Sequence, residues 1–388
     1  MSLNKLLILS NSPHEYTGYG RQTRYICEIV QGLGYEVGVV ALHGLQGPAI
    51  NWRNIPIFGQ RESRYTLSEM RHYVSYFGAD AVISLYDLWH FPSDTAKQIG
   101  APWIAMMPVE GYPLPEGMTR FLRTASYVVT YSQFGHDVLV KAGLPNTMIP
   151  HCVDTDIYTP GDVQAIRADQ GLPQDKFIVT IVAMNKGAQP YRKGWPELLQ
   201  AWKMFTDAHD DAFLYCHTNI KPIESSSHSG FRFGPLVEEL KISWDTLGFP
   251  DQESWTVGMP DDGMARMYAA SDVTILPSMA EGFGLPVIES QACGTPILPH
   301  DCSAMTELVH NGILIPRGPR HWISERSYWW HRPRVQDIYE TLERAYRERD
   351  TTSADASKGR QAMVDIYGIQ TATENWSRFL ERVGGELW

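Results

Sequence analysis

DVTILPSMAEGFGLPVIESQACG, Asp272 to Gly294, reads as a short apolar strand, a glycine-bearing loop and a helix in immediate succession. Pro286 opens the helix VIESQAC and Gly294 closes it, the places where proline and glycine are favoured. The backbone N–H groups of Gly282, Phe283, Gly284 and Leu285 would point outward at the helix start. With the helix dipole they form a cradle for phosphate oxygens, which suits a diphosphate. Glu289 falls in the first turn, where a carboxylate can accept two hydrogen bonds from vicinal hydroxyls such as those of a ribose. Without further context, Glu281 and Glu289 could equally serve the helix dipole alone.

Outward from this unit the same alternation recurs. LLILS (Leu6 to Ser10), VGVVAL (Val37 to Leu42), AVISLY (Ala81 to Tyr86), WIAMM (Trp103 to Met107) and YVVTYS (Tyr127 to Ser132) are β-rich runs with helical patterns between them. A second series runs FIVTIVAM (Phe177 to Met184), AFLYCHT (Ala212 to Thr218), DVTILP, PILPH (Pro296 to His300) and ILIP (Ile313 to Pro316). Strands alternating with helices imply parallel sheets covered on both faces. The 388 residues, 43% of them hydrophobic, also exceed what one core normally serves. Two doubly wound α/β domains follow, 1–158 and 159–370, joined through IPHCVDTDIYTPGD (Ile149 to Asp162). Trp376, Phe379, Leu380 and Val383 lie on one face of a helix over 371–388, expected to complete the N-terminal domain.

The net charge of −11 disfavours general affinity for nucleic acid or anionic membrane. Five scattered cysteines make no CxxC pair and no zinc pattern, which reads as buried thiols in a reducing cytoplasm. The apolar run near the N-terminus is too short for a signal peptide, and no run reaches the ~20 residues of a membrane span.

The run YAASDVTILPSMAEGFGLPVIESQACGTPIL, Tyr268 to Leu298, resembles the E-x7-E signature of family 4 retaining glycosyltransferases of the GT-B fold. That resemblance implies two Rossmann-like domains facing each other across a cleft, with Glu289 on the nucleotide ribose and Glu281 on the donor sugar. VAMNKGAQPYRKGWPELLQAW (Val182 to Trp202) is similar to the family's strand and loop carrying two cations for the donor diphosphate. Lys193 matches directly. The second cation stays open between Lys186 and Arg192, because the family's arginine comes directly after the strand, where Met184, Asn185 and Lys186 stand here. IPHCVDTDIYTP resembles the family's inter-domain segment, with His151 and Cys152 where Asn and Gly are common. SNSPHEYTGYGRQTRYICEIVQGLGYEV is similar to its first strand, glycine loop and helix, where Gly18 and Gly20 would let backbone approach the donor and acceptor. Read alone, GYGRQT is a poor dinucleotide fingerprint: Thr23 replaces the third glycine and no acidic residue ends the next strand.

Ligands of such sheets gather at the carboxyl ends of strands. LYDLWHFP and MMPVEGYPLP therefore bring Asp87, His90 and Glu110 forward, Asp87 and Glu110 as contacts to the sugar or the acceptor hydroxyl. His217, Thr218 and Asn219 would line the nucleotide pocket, and Gly258 would meet the base through its backbone. No cofactor and no metal are expected; charge on the leaving diphosphate would be met by fixed cations and amides. RGPRHWISERSYWWHRPR, Arg317 to Arg334, mixes five arginines with Trp322, Tyr328, Trp329 and Trp330. Its readings are a polynucleotide groove, as for a sugar added to hydroxymethylated DNA, or an insertion whose tryptophans pack on the core or stack on a glycan. The expected function is transfer of a sugar from a UDP- or GDP-sugar to a glycan or small-molecule hydroxyl. The alternatives are the same chemistry on a modified DNA base and a non-catalytic nucleotide-sugar-binding protein.

Overall fold

The computed structural model describes residues 3–60, 67–187, 189–221, 230–349 and 356–386. They form two compact units: Met1–Cys152 with Ser324–Tyr328 and Tyr367–Trp388, and Val153–Ile323 with Trp329–Ile366.

The first unit holds one eight-stranded sheet. Its strands are β1 (Lys5–Asn11), β2 (Glu36–His43), β3 (Ile50–Trp52), β4 (Ile55–Phe58), β5 (Ala81–Leu85), β6 (Trp103–Met106), β7 (Tyr127–Thr130) and β8 (Thr147–Met148). The order is β3-β4-β2-β1-β5-β6-β7-β8, and every pairing is parallel except β3 with β4. Leu6, Leu7, Ile8 and Leu9 of β1 are all fully buried, as a strand covered on both faces requires. One face carries a core of Leu7, Leu9, Val82, Trp103 and their neighbours. The helix Ile369–Glu386 packs on the helix Gly18–Gly32 and buries Trp376, Phe379, Leu380 and Val383. Tyr127 meets the Phe379 ring edge-on at 6.0 Å.

The second unit is built on β9 (Phe177–Val182), β10 (Ala212–His217), β11 (Leu247–Gly248), β12 (Val273–Leu276) and β13 (Ile297–Pro299). They form a parallel sheet in the order β11-β10-β9-β12-β13. The helices Trp195–Thr206 and Val335–Arg347 pack together over a core containing Trp195, Leu198, Trp202, Phe205, Ile338 and Leu342. Arg167, largely buried, donates to the Ala270 carbonyl and to Asp272 at 2.8 Å each, and Asp272 also accepts from Ile178 N, so this cluster fixes where β12 begins. Arg360 donates to the carbonyls of Tyr158, Thr155 and Ala292, fastening the start of the unit to the end of the helix Leu285–Ala292.

ILIP is not a strand of this sheet: Gly312 and Ile315 make only isolated bridges to Ile297 and His300. The segment β14 (Arg320–Ile323) and β15 (Tyr328–His331) forms a separate two-stranded ribbon. All five cysteines are buried, and none forms a disulfide. No helix among the described residues is long and apolar enough to cross a membrane.

Candidate functional site

In the second unit the strand order reverses between β9 and β12, the topological switch point where doubly wound sheets open a crevice at the strands' carboxyl ends. Two loops meet there, Ala183–Gly194 after β9 and Pro277–Gly284 after β12. Gly194 has φ +70°, and a Cβ on it would lie 2.4 Å from the Pro277 carbonyl, so only glycine lets the loops approach this closely. The approach carries Arg192 and Lys193 onto Glu281. Arg192 Nη1 donates to Glu281 Oε2 at 2.7 Å, and Lys193 Nζ to Oε1 at 2.5 Å. Arg192 also donates to the Ala280 carbonyl at 2.7 Å.

Glu281 is 8% exposed. Burial by itself would raise its pKa, but Arg192 and Lys193 outweigh burial and bring it down to about 2. Its backbone N–H donates to Ser303 Oγ at 2.9 Å. Ser303 sits at φ +47°, a region costly for a residue with a side chain, so the fold tolerates strain where this loop is held.

The helix Leu285–Ala292 follows, with Gly284 at its N-cap and proline in the first turn. Glu289 lies within it, 2% exposed, and its Oε2 accepts a 2.8 Å hydrogen bond from Tyr268. Glu281, Glu289, Arg192, Lys193 and the amides of 282–285 thus surround one switch point. Lys186 does not join them; its side chain is exposed. Asn185, where the related arginine would stand, is committed to the chain: it donates to the Asn219 and Phe231 carbonyls and accepts from Phe231 N.

Farther along the sheet, His217 and Gly258 line a cavity of about 380 Å³ with Tyr215, Trp255 and Met259. Thr218 and Asn219 are buried beside it in sequence but do not line it. Among the described residues no group of three or more His, Cys, Asp or Glu could hold a metal ion.

In the first unit the order reverses between β1 and β5. Tyr19, just inside the helix Gly18–Gly32, donates to Asp87 Oδ1 at 3.2 Å, and Tyr19 stacks obliquely on Tyr86 at 5.4 Å. Burial, then the charges of Asp87 and Glu110, push the Tyr19 and Tyr131 phenols well above their usual range. The Tyr19 hydroxyl thus engages Asp87, a pairing which no local sequence pattern pointed to. His90 is exposed, its ring edge 4.8 Å from Tyr86. Gly20 has a structural duty: a Cβ there would lie 2.4 Å from the Glu15 carbonyl. Gly18 is exposed at the helix start, where Thr17 caps Gly20 N at 3.0 Å. His151 stacks on Tyr131 at 4.0 Å, and burial lowers its pKa to about 3. Gln22 holds Cys152 through both backbone groups, at 2.8 and 3.2 Å.

Four of the five arginines of the arginine-rich segment are engaged within the chain, and Arg320 is exposed. Arg317 pairs with Asp301, Arg332 with Glu197, and Arg334 with Asp337, while Arg326 lies 3.6 Å from the centroid of the Trp89 ring. Trp330 is buried; Trp322 and Trp329 stay partly exposed and meet edge to face at 5.1 Å.

Residues 162–349 match the family described as glycosyl transferases group 1. The chain is 33% identical over 165 residues to the D-inositol 3-phosphate glycosyltransferase of Acidothermus cellulolyticus, covering 42% of this chain and 35% of that protein. It is 30% identical over 167 residues to the protein of that name from Mycobacteroides abscessus, covering 42% and 34%. The chain thus spans about a third of the length of these curated relatives. Sucrose-phosphate synthase from Thermosynechococcus elongatus superposes with TM-score 0.78 at 17% identity, over 98% of this chain and 99% of that one. HepE from Anabaena, in complex with UDP and glucose, superposes with TM-score 0.68 at 16% identity, over 97% and 99%. The fold is that of the GT-B glycosyltransferases.

Proposed function

We propose that this chain, whose residues 162–349 match the glycosyl transferases group 1 family, transfers a sugar from a nucleoside-diphosphate donor to an acceptor hydroxyl. The observation that carries the reading is Glu281 with one oxygen on Arg192 and the other on Lys193, immediately before a helix N-terminus and Glu289.

Each part has a chemical task. Glu289 binds the ribose hydroxyls. The amides of 282–285 with Arg192 and Lys193 take up the charge that develops on the leaving diphosphate, so no metal is required. Glu281 contacts the donor sugar. Transfer proceeds with retention, the acceptor attacking from the face the diphosphate leaves and giving its proton to the departing phosphate. Asp87, Glu110 and Tyr19 contact a glycan or small-molecule acceptor. The UDP and UDP-glucose complexes of HepE support a uridine donor, with GDP-sugars as the second class. Five buried cysteines outside any disulfide support a reducing compartment such as the cytoplasm.

The test is incubation with a panel of nucleotide-sugars without acceptor, following slow release of nucleoside diphosphate. Release from one donor, lost in Glu281→Ala, is the expected result. No binding and no release with any donor overturns the reading.

A further inference from the structure

We propose that Glu281 is an internal counter-anion: it competes with the donor diphosphate for Arg192 and Lys193, weakening nucleotide binding and speeding release of the nucleoside diphosphate product. The inference rests on the donor site assigned above.

The geometry sets up the competition. Each carboxylate oxygen of Glu281 is committed to a different cation, at 2.7 and 2.5 Å. The carboxylate lies inside, its side chain 10% exposed, and the cations lie outside, at 28% for Arg192 and 16% for Lys193. An arriving phosphate therefore meets the cations first. A guanidinium carries five N–H donors and an ammonium three, and the same groups that hold Glu281 are the ones a phosphate would engage. The charge they present is nonetheless reduced, because two cations and one buried carboxylate sum to +1 rather than +2.

The segment that bears the carboxylate is held beside both cations. The Glu281 backbone is tied to Ser303 Oγ, and Arg192 is tied to Ala280 O one residue earlier. As the diphosphate settles, each bond it gains to Arg192 or Lys193 weakens one that Glu281 holds. As the product leaves, Glu281 takes both cations back. One carboxylate thus serves the sugar during transfer and the cations during release.

The experiment measures Kd by calorimetry for UDP, GDP, ADP and dTDP, with the four nucleosides as controls lacking phosphate. It uses the wild-type chain, Glu281→Gln, Arg192→Gln and the Glu281→Gln/Arg192→Gln pair. For the diphosphate that the wild type binds, Glu281→Gln is expected to bind about tenfold tighter, the scale of one charge-assisted contact. Its affinity should also fall more steeply with salt, while nucleoside binding stays the same. Should the single variant fail to fold, the double variant must bind more tightly than Arg192→Gln, since Lys193 is still relieved. Equal or weaker diphosphate binding in the folded glutamine variant overturns the competition while leaving the donor site standing. A wild type that binds none of the four diphosphates removes the donor site, and the inference with it.

Discussion

The Tyr268 hydroxyl donates a 2.8 Å hydrogen bond to Glu289 Oε2, joining a fully buried ring to the carboxylate assigned to the ribose. Tyr268→Phe removes the donor and keeps the ring. The lost bond to a charged group is worth about 1.5–3 kcal/mol, so the donor KM should rise roughly tenfold with little change in kcat. The comparison that isolates positioning is a donor lacking ribose hydroxyls: with it, wild type and variant should have the same KM. A drop in kcat alone would count against a ribose role for this pair.

The Glu281 pair should appear in acid stability. The group's folded pKa is about 2 against an ordinary 4.5, so the native state binds fewer protons than the unfolded chain between those values. Its contribution is present above about pH 4.5 and is lost as pH falls toward 2. Chemical denaturation across this window should show wild type losing on the order of 2 kcal/mol more than Glu281→Gln. Parallel curves would contradict the pairing.

A second, milder titration belongs to histidine. His151 is held neutral, its pKa lowered to about 3 from 6.5, and His300 is lowered to about 4, both by burial first. Each stabilises the fold above pH 6.5, and each contribution declines as pH falls, because the unfolded chain takes up the proton first. His151→Phe keeps a ring against Tyr131 and removes one titration. Its melting temperature should fall less than that of wild type between pH 6.5 and 4, with His300 and His310 still titrating in both.

Arg332→Ala tests whether the arginine-rich segment is structural. Glu197 is 3% exposed, and Arg332 Nε donates to it at 2.6 Å. Removing the cation leaves a buried carboxylate short of its partner; with Arg332 half in solvent, a cost of about 2 kcal/mol is expected. A lower melting temperature without any change in oligonucleotide retention is the anticipated pattern. Loss of oligonucleotide binding at unchanged stability would revive the groove.

The legible parts of this chain are those whose causes are local. EGFGLPVIE carries its own punctuation, so strand, loop and helix follow from neighbouring residues, although the helix starts one residue earlier, at Leu285, and Glu289 lies beyond its first turn. The long buried strands are equally plain, whereas β3, β8 and β11 span two or three residues and fall below any periodicity. ILIP looks like a strand because it is apolar, yet it is buried without a full ladder. Arg192 and Lys186 share one loop and one charge; only the folded loop shows that Arg192 reaches Glu281 while Lys186 stays exposed. Tyr19 reaches Asp87 and Tyr86 from a separate element, a coincidence that exists only after folding. The arginine-rich segment illustrates the converse: its composition suggests a patch, but Arg317 and Arg332 find their acids at Asp301 and Glu197, outside the segment.

The buried thiols have a practical reach. Burial raises the pKa of Cys27, Cys216, Cys293 and Cys302, and Cys152 is 4% exposed, so none offers a ready thiolate to a bulky reagent. A single cysteine placed at an exposed position such as Lys186 would react with a maleimide fluorophore while the native five stay silent. The loop that bears Arg192 and Lys193 could then be followed spectroscopically through a catalytic turnover without stripping any cysteine from the core.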